Sequence, residues 1–233
     1  MKKPNNPPFL LLFLFLSLCS ASNVSNAVLY NHLQLVYTWP HTFCLDRRVS
    51  CKKPVPQNFV LHGLWPAHDK VGKNLIYCSK SGSISWALNK YEKQLTTSWP
   101  SLRRDLTNKQ FWQYQWDKHG TCVLPRMNVL RYLQLIITLQ PKFDLLRALS
   151  TNDIKPNGSS YPRKIVEDAI RHEIGGRDFY MSCQNLRNVD LIKEIYVCLD
   201  YSGHRVISCP TSNNPRGCGR NKNLVFTAAK SRM

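Results

Sequence analysis

Acidic side chains are scarce in this chain. Asp and Glu together number 14 against 32 Lys and Arg, a formal net charge of +18. That balance disfavours cationic ligands and points to a polyanionic partner: nucleic acid, anionic lipid or acidic polysaccharide. The plainer alternative is a basic protein with no such partner. Long apolar runs are equally few. One, from Phe9 to about Leu18, follows Lys2 and Lys3 and precedes Ser20, Ala21 and Ser22. This is the layout of a secretory signal peptide, too short for a comfortable membrane span. Cleavage is expected after Ala21, giving a signal over 1–21, with Ala27 as a later option. VLRYLQLIITLQ (129 to 140) is interrupted by Arg131 and two Gln, so it reads as a buried helix. The expected product is therefore secreted and extracellular, with no membrane segment. The signal removes two lysines and no acid, which leaves a net +16. No CxxC pair and no paired His occurs at ligand spacing, so no metal centre is expected. No repeat period or low-complexity tract is present, and residues 22–233 suit one domain.

Cysteine is plentiful by contrast. Of nine, Cys19 lies in the signal segment, and eight remain: Cys44, Cys51, Cys78, Cys122, Cys183, Cys198, Cys209 and Cys218. An even count in a secreted chain implies four disulfides, whose connectivity the count leaves open. A local bridge between Cys44 and Cys51 is plausible, and a bridge at Cys122 would pin the segment just before it.

LQLVYTWP (33 to 40) alternates Leu33, Leu35, Tyr37 and Trp39 on one face, as a strand does. NFVLHGLWP (58 to 66) reads as a second strand, with Phe59 and Leu61 facing one way, Val60 and His62 the other. Helices are expected over 84–95, 128–139, 142–149 and 161–176. In LTNKQFWQYQWDKHG, Thr107 and Gln110 form a capping box and Gly120 supplies the stop. EIYVCLDY (194 to 201) reads as a strand and NLVF (223 to 226) as a closing edge strand. Without strict βαβ alternation the class is α+β, an antiparallel sheet packed with helices. The sequon at Asn157 is an expected glycan site; that at Asn23 lies close to the cleavage point.

On the helix before Gly120, Gln115 and His119 share a face with Phe111, and Lys118 flanks it; Trp112 and Trp116 form the adjoining core stripe. His62 ends a strand beside glycine. A lone His at a helix C-terminus is more often a surface residue favoured by the dipole, and His68, His172 and His204 sit in polar contexts that suit solvation. Two histidines on separate braced elements of a basic protein suggest something more specific. Metal-free RNA cleavage needs a base for the 2′-hydroxyl proton and an acid for the departing 5′-oxygen, and imidazoles serve both near neutral pH. A fixed Lys stabilises the phosphorane, and aromatic rings stack on unpaired bases.

FVLHGLWP and FWQYQWDKHGTC, in this order, resemble the two active-site segments of the ribonuclease T(2) family. The resemblance extends from LQLVYTWP through the terminal cysteines. The basic balance and CKKPVPQNFVLHGLWP look most like the plant S-type branch, the pistil ribonucleases of gametophytic self-incompatibility. The resemblance implies His119 as general base, His62 as general acid, Lys118 as phosphorane stabiliser and Gln115 at a catalytic-site position. It implies RNA contacts by Thr38, Leu102, Phe111 and Tyr114. It also implies the pairs Cys44–Cys51, Cys78–Cys122, Cys183–Cys218 and Cys198–Cys209, 2′,3′-cyclic phosphate products, and a monomer that needs no cofactor. In the S-type branch the partner is a pollen F-box protein reading surface loops, around 67 to 83 here. Three positions depart from the family pattern. Gln115 stands where many relatives have Glu, Tyr114 where many have a third His, and Thr38 where relatives often have Gln. These put full activity and base preference in question. The alternatives are an S-like defence or phosphate-supply ribonuclease, a catalytically weak RNA-binding or recognition protein, and a basic antimicrobial or wall-binding protein.

Overall fold

A computed structural model of the protein describes residues 29–70, 73–124, 126–211 and 217–228. The expected signal peptide and the Asn23 sequon lie outside the described residues. One α+β domain is formed. Its strands are β1 (His32–Thr38), β2 (Val60–His68), β3 (Lys73–Asn74), β4 (Ser160–Pro162), β5 (Tyr180–Leu186), β6 (Val189–Asp200) and β7 (Asn223–Val225). They order as β3-β2-β1-β6-β7-β4, and β5 also pairs with β6. Every pairing is antiparallel except β6 with β7, parallel at Leu191 and Val225. The helices are α1 (Pro40–Phe43), α2 (Ser85–Ser98), α3 (Asn108–Lys118), α4 (Val129–Leu139), α5 (Leu145–Ser150) and α6 (Arg163–Glu173).

Helices cover one face of the sheet. Leu33, Leu35 and Tyr37 of β1, Leu61 and Leu64 of β2, and Ile195, Val197 and Leu199 of β6 meet Leu88, Tyr132, Leu133, Ile136, Val166 and Ile170 in one apolar core. Each such side chain contributes ~1.5–3 kcal/mol by leaving water. The other face carries a smaller cluster, Val36, Trp65, Tyr180, Tyr196, Cys198 and Cys209. Strand β1 therefore differs from its expected one-sided pattern. His32, Gln34, Val36 and Thr38 are buried as fully as their neighbours, because β1 lies between β2 and β6 with both its faces covered. The segment 223–226 is also not an edge: β7 lies between β6 and β4. The expected helix over 161–176 begins only at Arg163, because Tyr161 and Pro162 pair with β7. The half-polar β5, YMSCQNL, was not anticipated.

Four disulfides are present: Cys44–Cys51, Cys78–Cys122, Cys183–Cys218 and Cys198–Cys209. Among the described residues no helix is long and apolar enough to cross a membrane.

Candidate active site

Helix α3 starts as its sequence dictates. The Thr107 hydroxyl accepts from the Gln110 backbone N–H at 3.2 Å, and the Gln110 side chain accepts from the Thr107 N–H at 2.9 Å. Trp112 and Trp116 are buried on the core side, and Trp112 Nε1 donates to the Trp99 carbonyl at 2.6 Å. The helix does not end on a left-handed glycine as expected. His119 is the C-cap, with φ −119°, and the chain passes directly into a 3-10 turn over Gly120–Val123. Gly120 is required for closeness instead: a Cβ there would stand 2.2 Å from Trp116 Cε3. The Cys78–Cys122 bridge ties this turn to the segment after β3.

Strand β2 delivers His62 through a break in its pairing. Val36 of β1 faces Gly63 and Tyr37 faces Leu61, so His62 is the extra residue of a β-bulge. Bulges bend the strand and re-aim a side chain. The effect is visible in the packing. Leu61 and Leu64, three apart, both enter the helix-side core, while Trp65 joins the opposite cluster. Simple alternation would put His62 and Trp65 on opposite faces; their rings meet edge to face at 4.9 Å. The His62 carbonyl accepts from Trp99 Nε1 at 2.9 Å, which holds the bulge to the core. Gly63 allows the approach, since a Cβ there would be 2.5 Å from Trp65 Nε1 and 2.8 Å from Gln115 Oε1.

Trp65 joins the two segments. One side of its indole stacks on His119, centroids 4.7 Å apart at 17°, and its edge meets His62. Its Nε1 donates to Gln115 Oε1 at 3.1 Å. Gln115, 2% exposed, is thus committed to a buried indole N–H that needs an acceptor. The two histidines have opposite surroundings. His119 is 3% exposed. Burial, then the charges of Lys118 and His62, pull it down to about 3, against a smaller opposing contribution from the Leu75 backbone. Its imidazole is therefore neutral over the ordinary pH range. His62 keeps about a quarter of its side chain exposed and places Nδ1 2.6 Å from Glu194 Oε1. Burial would raise the Glu194 carboxyl, but the hydrogen bond and charge of His62, the Tyr196 hydroxyl and the Lys193 charge outweigh it and hold Glu194 at about 2. An ionised carboxylate only accepts, so His62 donates from Nδ1 and turns Nε2 toward solvent.

All eight expected site residues line one cleft of about 290 Å³: Thr38, His62, Leu102, Phe111, Tyr114, Gln115, Lys118 and His119. Tyr114 is 43% exposed. Lys118 Nζ donates to the Tyr114 hydroxyl at 3.3 Å and lies 5.6 Å from its ring centre. Thr38 is buried and its hydroxyl donates to Glu194 Oε1 at 3.4 Å. Two central residues were not singled out from the sequence. Trp65 was hidden by the bulge, though a tryptophan three residues after His62 in HGLWP was visible. Glu194 opens an otherwise apolar and aromatic stretch in a chain short of acids, which is the signal that could have found it. His172 and His204 are exposed, as their context suggests.

Basic residues adjoin one wall of the cleft, where Arg103 lines it. The Cys44–Cys51 loop pairs with the segment after α2: Lys52 N–H donates to the Leu102 carbonyl and Arg104 N–H to the Ser50 carbonyl, both at 2.8 Å. This sets Lys52 and the exposed Arg104 next to Leu102 and Arg103, which line the cleft. Asp105 holds Arg103 at 2.5 Å.

Comparison with known proteins agrees with this geometry. The family model for the ribonuclease T2 family matches residues 30–209. Ribonuclease S-2 of Nicotiana alata is 36% identical over 218 residues, covering 91% of this chain and 95% of that protein. Among solved structures, the SF11-RNase of Nicotiana alata, associated with gametophytic self-incompatibility, superposes with a TM-score of 0.73 at 30% identity over 85% of this chain and 99% of that one. RNase NT in complex with 5′-AMP gives 0.73 at 29% identity, over 85% and 98%.

Proposed function

The chain belongs to the ribonuclease T2 family and is a T2-type endoribonuclease, and from that premise we propose that it is a secreted, metal-independent enzyme that cleaves single-stranded RNA to 2′,3′-cyclic phosphates. The observation that carries the mechanism is the placement of two imidazoles against one indole, each ring centre within 5 Å of Trp65, in a cleft that also holds Lys118. His119, kept neutral by burial, takes the 2′-hydroxyl proton. The 2′-oxygen bonds to phosphorus as the P–O5′ bond breaks, and His62 Nε2 gives its proton to the departing 5′-oxygen. Lys118 stabilises the charge of the phosphorane between them. Water later takes the place of the 5′-hydroxyl and opens the cyclic ester slowly to a 3′-phosphate.

Phe111 and Tyr114 offer rings to the bases, with Leu102 and Thr38 beside them. The basic wall at Lys52, Arg103 and Arg104 gives the strand its path. In an RNase gel assay the protein clears RNA in the presence of chelator, while His62→Ala and His119→Ala leave it intact. Clearing by both variants would overturn the mechanism. We infer further that the protein is the pistil determinant of gametophytic self-incompatibility, with a pollen F-box protein as partner. Support comes from the net charge of +18 and the likeness to the S-type relatives. Expression confined to the pistil, together with segregation with pollen rejection, is the expected result; expression in roots or leaves alone would favour an S-like role. Asn157, exposed in the turn before β4, is the proposed glycan site.

A further inference from the structure

We propose that Glu194 is a positioning residue for the acid step, acting through His62. Three strands fix this carboxylate. It lies on β6 opposite Thr38 of β1 and Ser182 of β5. Both oxygens are occupied: Oε1 accepts from His62 Nδ1 at 2.6 Å and from the Thr38 hydroxyl at 3.4 Å, and Oε2 accepts from the Tyr196 hydroxyl at 2.7 Å and the Ser182 hydroxyl at 3.2 Å. A buried carboxylate with every direction filled by a donor is held charged and in place. No Asp or Glu lines the cleft among the described residues; Glu194 stands one layer behind it.

His62 needs such a support. It is the extra residue of a bulge, outside the regular ladder. Among the described residues its ring neighbours are Trp65 and Phe43, with centroids 4.9 and 6.4 Å away, and aromatic contacts do not select which nitrogen faces the substrate. Glu194 does: by accepting at Nδ1 it leaves Nε2 to protonate the 5′-oxygen. An apolar side chain of similar volume at position 194 would avoid the desolvation of a buried charge. A buried charge stands here where it meets the partly exposed imidazole of the cleft.

The inference rests on His62 being the general acid, and the test separates the two. Turnover is measured on a dinucleoside phosphate, whose 5′-alkoxide needs a proton to leave, and on a nucleoside 3′-(4-nitrophenyl phosphate), whose phenolate leaves without one. Glu194→Gln is expected to lower kcat on the dinucleoside phosphate ~10–100-fold, with little change in KM. On the aryl ester it lowers kcat by no more than ~3-fold, because that step asks nothing of the acid. In the background of His62→Ala, Glu194→Gln causes no further loss. An equal loss on both substrates, or none on either, overturns the role. If Glu194→Gln does not fold, the double variant Ser182→Ala with Tyr196→Phe loosens the same carboxylate and is expected to show the same leaving-group dependence in weaker form; its absence overturns the role equally. If His62→Ala itself shows no leaving-group dependence, the acid assignment fails and this inference with it. If His62→Ala shows it and Glu194→Gln does not, only the role of Glu194 fails.

Discussion

The two faces of the sheet are both buried but are held by different physics. The helix side is apolar throughout: Leu33, Leu35, Leu61, Leu64, Ile195, Val197 and Leu199 expose 1% or less of their surface. The cleft side alternates Thr38, Val36, Tyr196, Glu194, Ser182 and Trp65, whose polar atoms largely satisfy one another. The first face is stabilised by area removed from water, which is indifferent to direction. The second depends on aimed bonds around a buried charge, which add little net stability but fix two imidazoles relative to one indole. A domain of this kind uses one face to stay folded and the other to hold chemistry still.

Substitutions that injure one face and spare the other test that division. The largest effect is expected at His119→Ala, which lowers kcat ~10²–10⁴-fold while calorimetry still records one cooperative transition. Leu199→Ala, on the helix side, costs ~2–5 kcal/mol in chemical denaturation, with kcat of the folded enzyme unchanged. If Leu199→Ala lowers kcat as much as it lowers stability, the faces are coupled and the division fails.

Acid sharpens the same contrast. His119 sits at about 3 in the fold against 6.5 unfolded, so between these values the unfolded chain binds a proton that the native one refuses. Its contribution is therefore fully present above pH 6.5 and lost as pH falls toward 3. The slope is ~1.4 kcal/mol per pH unit within that window. Glu194, at about 2 against 4.5, adds its own loss only below pH 4.5. The thermal midpoint should fall between pH 6.5 and 4.5 in the native protein and markedly less in His119→Phe. Next in size is Gly63→Ala, whose Cβ meets Trp65 Nε1 at 2.5 Å. It should cost ~1–3 kcal/mol in stability and lower kcat as well, because the displaced indole carries both histidines.

The helix-side face was readable from the sequence and the cleft face only in part. Periodicity reports burial, so Leu33, Leu35 and Tyr37, the α3 capping box and the stripe of Trp112 and Trp116 could be located without coordinates. The active-site segments were readable for another reason: FVLHGLWP and FWQYQWDKHGTC resemble known ones. The bulge at His62 was not readable, because pairing register is a property of two strands and one strand's residues do not encode it. Trp65 was therefore assigned to neither role, and the bond from its indole to Gln115 was not foreseen. Glu194 comes from a strand 132 residues away from His62. Nothing local to either motif announces that contact.

The smallest expected effect lies outside both faces, on the basic wall. Arg104 is exposed, and its backbone pairs with Ser50. Its side chain has no acidic partner within ion-pair distance among the described residues, unlike Arg103, which Asp105 engages. Losing it cannot disturb the imidazoles or the core, so Arg104→Ala should leave kcat and the melting midpoint as they are. If the wall guides the RNA backbone, KM for a long substrate rises ~2–5-fold at low salt, and the log–log slope of binding against salt becomes shallower by about one charge. The difference should vanish toward 0.5 M salt, where exposed charges are screened within a few ångströms. A dinucleoside phosphate, too short to reach the wall, should show no change at any salt concentration. An equal rise in KM for long and short substrates would place Arg104 in the cleft itself and move the boundary between holding RNA and cutting it.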